Sequence, residues 1–325
     1  MRSTGTFAVG LYNAGIVTLS GLFMSHGADS LKSILFALGA NTAIAIAKLV
    51  AAMVTGSGAM LAEAIHSFAD AGNQSLLILG LKRAKAPPSE DYPLGYGKSI
   101  YFWSFIVAII LFSLGGLFSL YEGWHKLSHP EPLSYPLVAI GVLLFAIVAE
   151  GVSMWGCLRE VNKVRHGRSY WRWFRESRQS ELLVVFGEDL AALAGLVFAL
   201  LAILVALVTG NPMYDAIGTL VIGTLLLLIA VLIGNEVRAL LIGQSADPMV
   251  REQMREWLQQ RPEVDHLFNL LTMQMGNDLM VAVKAQMVET GSQQGLVDAI
   301  NGVEKAFRAQ FTGVRWLFFE PDCAD

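Results

Sequence analysis

Apolar residues along this chain fall into six long blocks, at about 33–54, 57–81, 99–122, 134–157, 180–208 and 214–238. Each block reaches the roughly 20 residues that carry a helix across ~30 Å of hydrocarbon, so the pattern predicts six transmembrane helices. TGSGAM leaves almost no room between the first two blocks, which predicts a tight helical hairpin. The turn-rich stretches KAPPSEDYPLGYGK, SHPEPLSYP and GNP separate blocks two from three, three from four and five from six. Beyond residue 240 the pattern changes. Val250, Met254, Trp257 and Leu258 recur at helical spacing, as do Leu296, Ile300, Val303 and Phe307. Between these sets, HLFNLLTMQM and LMVAVKAQMV flank the turn GND as a hairpin, and VRWLFFE supplies a third strand. The predicted tail is α-β-β-α-β, with its helices on one face of a small antiparallel or mixed sheet.

Composition agrees with a membrane protein. The chain has 325 residues, 54% hydrophobic and 15% charged, with a formal net charge of −4 and a mean hydropathy of +0.52, too apolar for an ordinary soluble protein of this length. Positive charge marks the side. Lys82, Arg83, Lys85 and Lys98 follow block two, and Arg159, Lys163, Arg165, Arg168, Arg172, Arg175 and Arg178 follow block four, whereas the opposite loops hold Lys126. Because Lys and Arg accumulate on the cytoplasmic side, both termini and the tail are placed in the cytoplasm, and a bacterial inner membrane is the expected location. The basic patch lies between two spans, so it reads as topology and not as a nucleic-acid surface. Cys157 and Cys323 form neither a CxxC pattern nor an expected disulfide. The division read from these features is an N-terminal segment 1–32, with Met24 an alternative start, a membrane domain 33–240 and a cytoplasmic domain 241–325.

Ionisable residues inside the blocks carry the chemistry, since such groups are costly in a bilayer and mark ion or proton pathways. AEAIHSFADAGNQ places His66 and Asp70 four apart on one face of the second helix, near mid-membrane, with Glu63 three residues before His66 and Asn73 three after Asp70. ELLVVFGEDLAALAG puts Glu188 and Asp189 deep in the fifth. Imidazole plus carboxylate suits zinc, iron, cobalt or manganese. The plainer reading of His66 and Asp70 is a hydrogen bond stitching helices together. Two further carboxylates brought near them would repel unless a cation or protons lay between, which favours a shared cation site. Asp189 is the preferred ligand from the fifth helix, with Glu188 as a further ligand, proton acceptor or supporting group. Lys48 is placed to neutralise a buried acid such as Glu150, a packing role, or to help set the charge of the site during the cycle.

These residues resemble the cation diffusion facilitator family. NTAIAIAK, TGSGAMLAEAIHSFADAGNQ, GYGKSIYFW, LYEG, DAIGTLVIG and EVRALLIGQSADP match the spans and the link, and LTMQMGNDLMVA and FFEPD resemble the tail strands, over roughly residues 30 to 322. The resemblance implies an α-helical membrane protein of six spans followed by a cytoplasmic αββαβ, ferredoxin-like domain. It implies export of a divalent metal from the cytoplasm, held between spans two and five and coupled to proton entry, by a homodimer. His66 and Asp70 match the family's HxxxD of span two, and Asp189 matches the aspartate of its span-five HxxxD. The histidine of that second motif is Val185 here, which points to the branch with Glu-Asp at this place and leaves the fourth ligand to Glu188, a water or an amide such as Asn73. Replacing imidazole by oxygen moves the site toward harder metals, so zinc stands only slightly ahead of iron, manganese and cobalt. In the tail the family's strand histidine is Gln274, and Glu320 and Asp322 hold the last acidic position, a weak metal site at best. Histidines are also missing at Tyr92 and Tyr96, where some members build a loop site.

The expectation is therefore a proton-coupled metal antiporter without a prosthetic group. A metalloenzyme is disfavoured because HSFAD lacks the glutamate of HExxH. The alternative is a membrane-anchored metal sensor or scaffold that transports nothing.

Overall fold

The computed structural model describes residues 29–130 and 134–324, the first twelve as backbone only. Met24 and the segment before it lie outside the described residues. Six long helical rods build the membrane domain: α1 (Asp29–Thr55), α2 (Gly58–Ala84), a third rod of α3 (Ser99–Ile110), a π segment (Leu111–Leu117) and α4 (Phe118–Ser128), then α5 (Pro136–Val164), α7 (Ser180–Thr209) and α8 (Met213–Ile242). The last four of these are long and apolar enough to cross a membrane by length and composition alone. α2 is as long as α1, but Glu63, His66, Asp70, Asn73 and Gln74 break its apolar run. That polarity is a mark of use, because a 27-residue helix spans roughly 40 Å at about 1.5 Å per residue.

Two features differ from the expected elements. A short helix, α6 (Tyr170–Glu176), occupies the basic stretch between the fourth and fifth spans. Ser169 caps it by accepting from the Arg172 amide, and Trp173 and Phe174 anchor it against Phe186. The third span contains the π segment, which widens the helix around Gly115 and Gly116. Such segments recur at functional sites, and this one faces α2: a methyl group on Gly115 would stand 3.8 Å from His66 Nδ1.

Packing in the bundle runs on small residues. Ala59, Ala62, Ala64, Ala191, Ala192 and Ala199 are buried, which lets backbones approach where lipid offers no hydrophobic drive between helices. At the start of α2, Ser57 and the Gly58 amide donate to the two carboxylate oxygens of Asp215 at 2.6 and 2.8 Å, tying the α1–α2 hairpin to α8.

The tail is α9 (Pro248–Gln259), β1 (Val264–Met275), β2 (Asp278–Met287), α10 (Gln293–Gln310) and β3 (Val314–Pro321), in sheet order β1-β2-β3. β1 and β2 pair antiparallel and β2 and β3 parallel, so the sheet is mixed. Met254, Leu258, Val281, Val283, Phe307 and Leu317 form its core beneath the helices. Asp247 caps α9 through the Met249 amide, with Pro248 following it.

Tail and bundle are in direct contact. The β1–β2 turn reaches the start of α3, where the Tyr101 hydroxyl donates to the Gly276 carbonyl (3.2 Å) and accepts from the Gly276 amide (2.9 Å). Arg168 bonds Asp247 at 2.8 Å, and Arg178 donates to the Ser245 carbonyl at 2.7 Å. Gln274 is occupied structurally, its side-chain amide donating to the Gly276 carbonyl at 2.7 Å.

Candidate metal centre

α1, α2, α5 and α7 enclose a cavity of about 20 Å³, the room of a single water molecule. Asp70 lines it from α2, Glu188 and Asp189 from α7, and Glu150 and Ser153 from α5, with Asn41 and Ser67 nearby. Asp70 and Asp189, distant in sequence, therefore meet at one place because α2 and α7 pack side by side. Val185 also lines the cavity. The position that holds imidazole in the family's second HxxxD is thus on the wall, and here it is apolar.

His66 lies one turn away from the cavity, fully buried, with Nε2 3.6 Å from Asp70 Oδ2. That separation is longer than a hydrogen bond, and neither ring nitrogen has a partner. Asp70 Oδ1 and Asn73 Oδ1 are unpartnered as well. An unsatisfied polar group buried in hydrocarbon costs several kcal/mol in rough terms, so three such groups within two turns of one helix are a concentrated cost.

The remaining acids have turned to neutral partners. Asn73 Nδ2 donates to Glu188 Oε1 at 2.6 Å, and Ser153 Oγ to Asp189 Oδ2 at 3.2 Å. Like charges in a medium of low dielectric part from each other where a hydrogen-bond donor is available. Among the described residues, no three His, Cys, Asp or Glu side chains stand close enough to enclose an ion as they are placed. The conformation gathers the acids around one cavity without drawing them into a coordination sphere.

Glu63 stands apart from the cavity wall, paired with Lys48 at 3.4 Å. The buried acid that Lys48 pairs with is Glu63, across the α1–α2 hairpin, in place of the Glu150 suggested by the sequence; Lys48 also donates to Ser67 Oγ at 2.6 Å, while Glu150 faces the cavity from α5. Of the α5 residues, Ser153 was missed in the sequence. Glu150 and Ser153 are three residues apart on one helical face, a spacing that pairs them on the wall. In the tail, Glu320 is exposed and Asp322 is partly exposed. Lys284 pairs with Asp322 at 3.2 Å and stands opposite Glu320 in the strand register, so the two acids are answered by an ammonium.

Comparison with known proteins follows the same geometry. Residues 34–242 match the family described as the cation efflux transmembrane domain. The proton-coupled zinc antiporter SLC30A9, mitochondrial, of Xenopus laevis is 34% identical over 70% of this chain and 41% of its own. Its Homo sapiens counterpart is 33% identical over 75% of this chain and 44% of its own. Metal tolerance protein C4 of Arabidopsis thaliana is 30% identical over 74% and 53%. This chain thus spans about two fifths to a half of the length of these relatives. The expectation of a bacterial inner membrane is overturned by the first two, whose names place them in mitochondria. Loop charge reports which side of a membrane faces the tail, and it carries no information on which membrane that is. The matched span covers every helix that lines the cavity, and the chain belongs to the cation efflux family.

Proposed function

We propose that this protein exports a divalent transition metal from the tail side of the membrane to the other, with zinc placed ahead of iron, manganese and cobalt, in exchange for protons. The observation that carries the reading is the meeting of Asp70, Glu188 and Asp189 on one cavity wall with unpartnered His66 a turn away. The cargo ligands are His66, Asp70 and Asp189, with Glu188 as a fourth, and Asn73 orients Glu188. The names of the Xenopus and human relatives support both zinc and proton coupling.

The chemistry follows from the donor set. A dication offsets the mutual repulsion of the carboxylates, so Asp189 turns from Ser153 toward it while Asn73 keeps its hold on Glu188 Oε1 and leaves the other oxygen for the cargo. Ligands must be deprotonated to bind and take protons as the cargo leaves. Imidazole, with an ordinary pKa of about 6.5, makes that exchange near neutral pH. The chain works as a transporter and not as an enzyme, and the tail pairs two copies. On the open face of the tail sheet, Leu271 and Phe318 are more than half exposed and lie in one row across the strands with Ala282, which supports that second role.

Zinc counterflow in proteoliposomes under an imposed pH gradient tests this function. The expected result is zinc movement that stops when the gradient is collapsed and is absent in Asp70→Ala. Movement indifferent to the gradient rejects the coupling, and full transport by Asp70→Ala rejects the site.

A further inference from the structure

Lys48 and Glu63 form an ion pair with no solvent-exposed surface, placed where α1, α2 and α7 meet. A buried pair is expensive in a membrane and can be replaced by apolar residues without loss of stability, so its presence asks for a use. The orientation of the pair is specific. Lys48 Nζ donates to Ser67 Oγ at 2.6 Å, and Ser67 lines the cavity wall. Glu63 lies behind, with Oε1 unpartnered and pressed against Gly195 of α7, where even a Cβ would have no room. The ammonium end of the pair therefore faces the cavity and the carboxylate end faces away from it.

The other charged groups around this ammonium are His66 and Asp70 on α2 and Glu150 on α5, with Glu188 and Asp189 on α7 beyond Asp70. Among these residues Lys48 is the one fixed cation. Four carboxylates line the cavity, Asp70, Glu150, Glu188 and Asp189, and such a set would hold a dication too tightly to release it. A transported ion has to be bound well enough to enter and weakly enough to leave.

We propose that Lys48 is a resident cation, anchored by Glu63 and Ser67, that weakens the cavity's hold on its cargo so that the ion can be released. Lys48 acts through the field it places on Asp70 and Glu150, and Glu63 sets the strength of that field. This rests on the transport reading above and adds a determinant of affinity outside the ligand set.

Equilibrium zinc binding to the full chain in lipid nanodiscs separates this role from a purely structural one. Lys48→Met is expected to bind zinc at least tenfold more tightly and to slow counterflow. Glu63→Gln, which leaves the ammonium unshielded, is expected to bind several-fold more weakly. The double variant, neutral inside, falls between the two and covers the case in which one unpaired variant fails to fold. Single variants that shift affinity in the same direction, or a Lys48→Met that binds as wild type does, overturn the proposal. Wild-type protein that binds no zinc at all overturns the transport reading itself, so the two failures are distinct.

Discussion

Asn73 on α2 donates to Glu188 on α7 across 2.6 Å, joining side chains 115 positions apart in the sequence. The contact fixes one acid of the cavity to the helix that carries His66 and Asp70. A hydrogen bond to an ionised group contributes about 1.5–3 kcal/mol, so Asn73→Leu should weaken zinc binding by about tenfold or more. Titration of the purified variant checks it. Unchanged affinity would show that Glu188 needs no support from α2.

Tyr101 joins the third span to the tail through both backbone groups of Gly276. In Tyr101→Phe, the amide and carbonyl of that turn lose their partner, at about 1–3 kcal/mol. The expected outcome is faster hydrogen exchange at Gly276 and its neighbours, with the sheet core around Val281 and Val283 unchanged. Equal exchange in both proteins would mean that the turn is held by packing alone.

Glu176, outside the spans, bridges α6 to the tail link through Arg172 at 2.9 Å and Arg168 at 3.3 Å. The hydrogen bond from Arg172, followed by that from Arg168, holds its carboxyl below the ordinary value of 4.5. A group whose folded pKa is lowered contributes stability in full above its unfolded value and loses it as the pH falls through the folded value. Protease cleavage within residues 165–180 should therefore rise as the pH drops below 4.5, measured with an acid-tolerant protease. Glu176→Gln should be cut readily throughout, with that step in the pH profile removed.

Most of the fold was legible because membranes demand long apolar runs and sheets demand alternation. The six rods and the αββαβ order follow from Val250 to Phe307 in the tail and from the apolar blocks before it. The π segment and α6 were not legible. A π turn at Leu111–Leu117 depends on how the rod packs against α2 and α8, and α6 is basic and seven residues long, with its apolar anchors Trp173 and Phe174 finding their partner Phe186 only after folding. His66, Asp70 and Asp189 could be singled out because an ionisable group in an apolar run is costly wherever it faces. The pairing of Lys48 with Glu63, and the entry of Glu150 and Ser153 into the cavity, depend on helix rotation, which spacing along one helix does not specify.

The central claim is that α2 and α7 share one cargo ion. An anomalous difference map at the zinc edge, from crystals of the full chain grown with zinc, tests it most directly. The account predicts a single strong peak in the membrane domain, within bonding distance of His66, Asp70 and Asp189. A peak ligated elsewhere, with these three side chains directed to separate places, would contradict it.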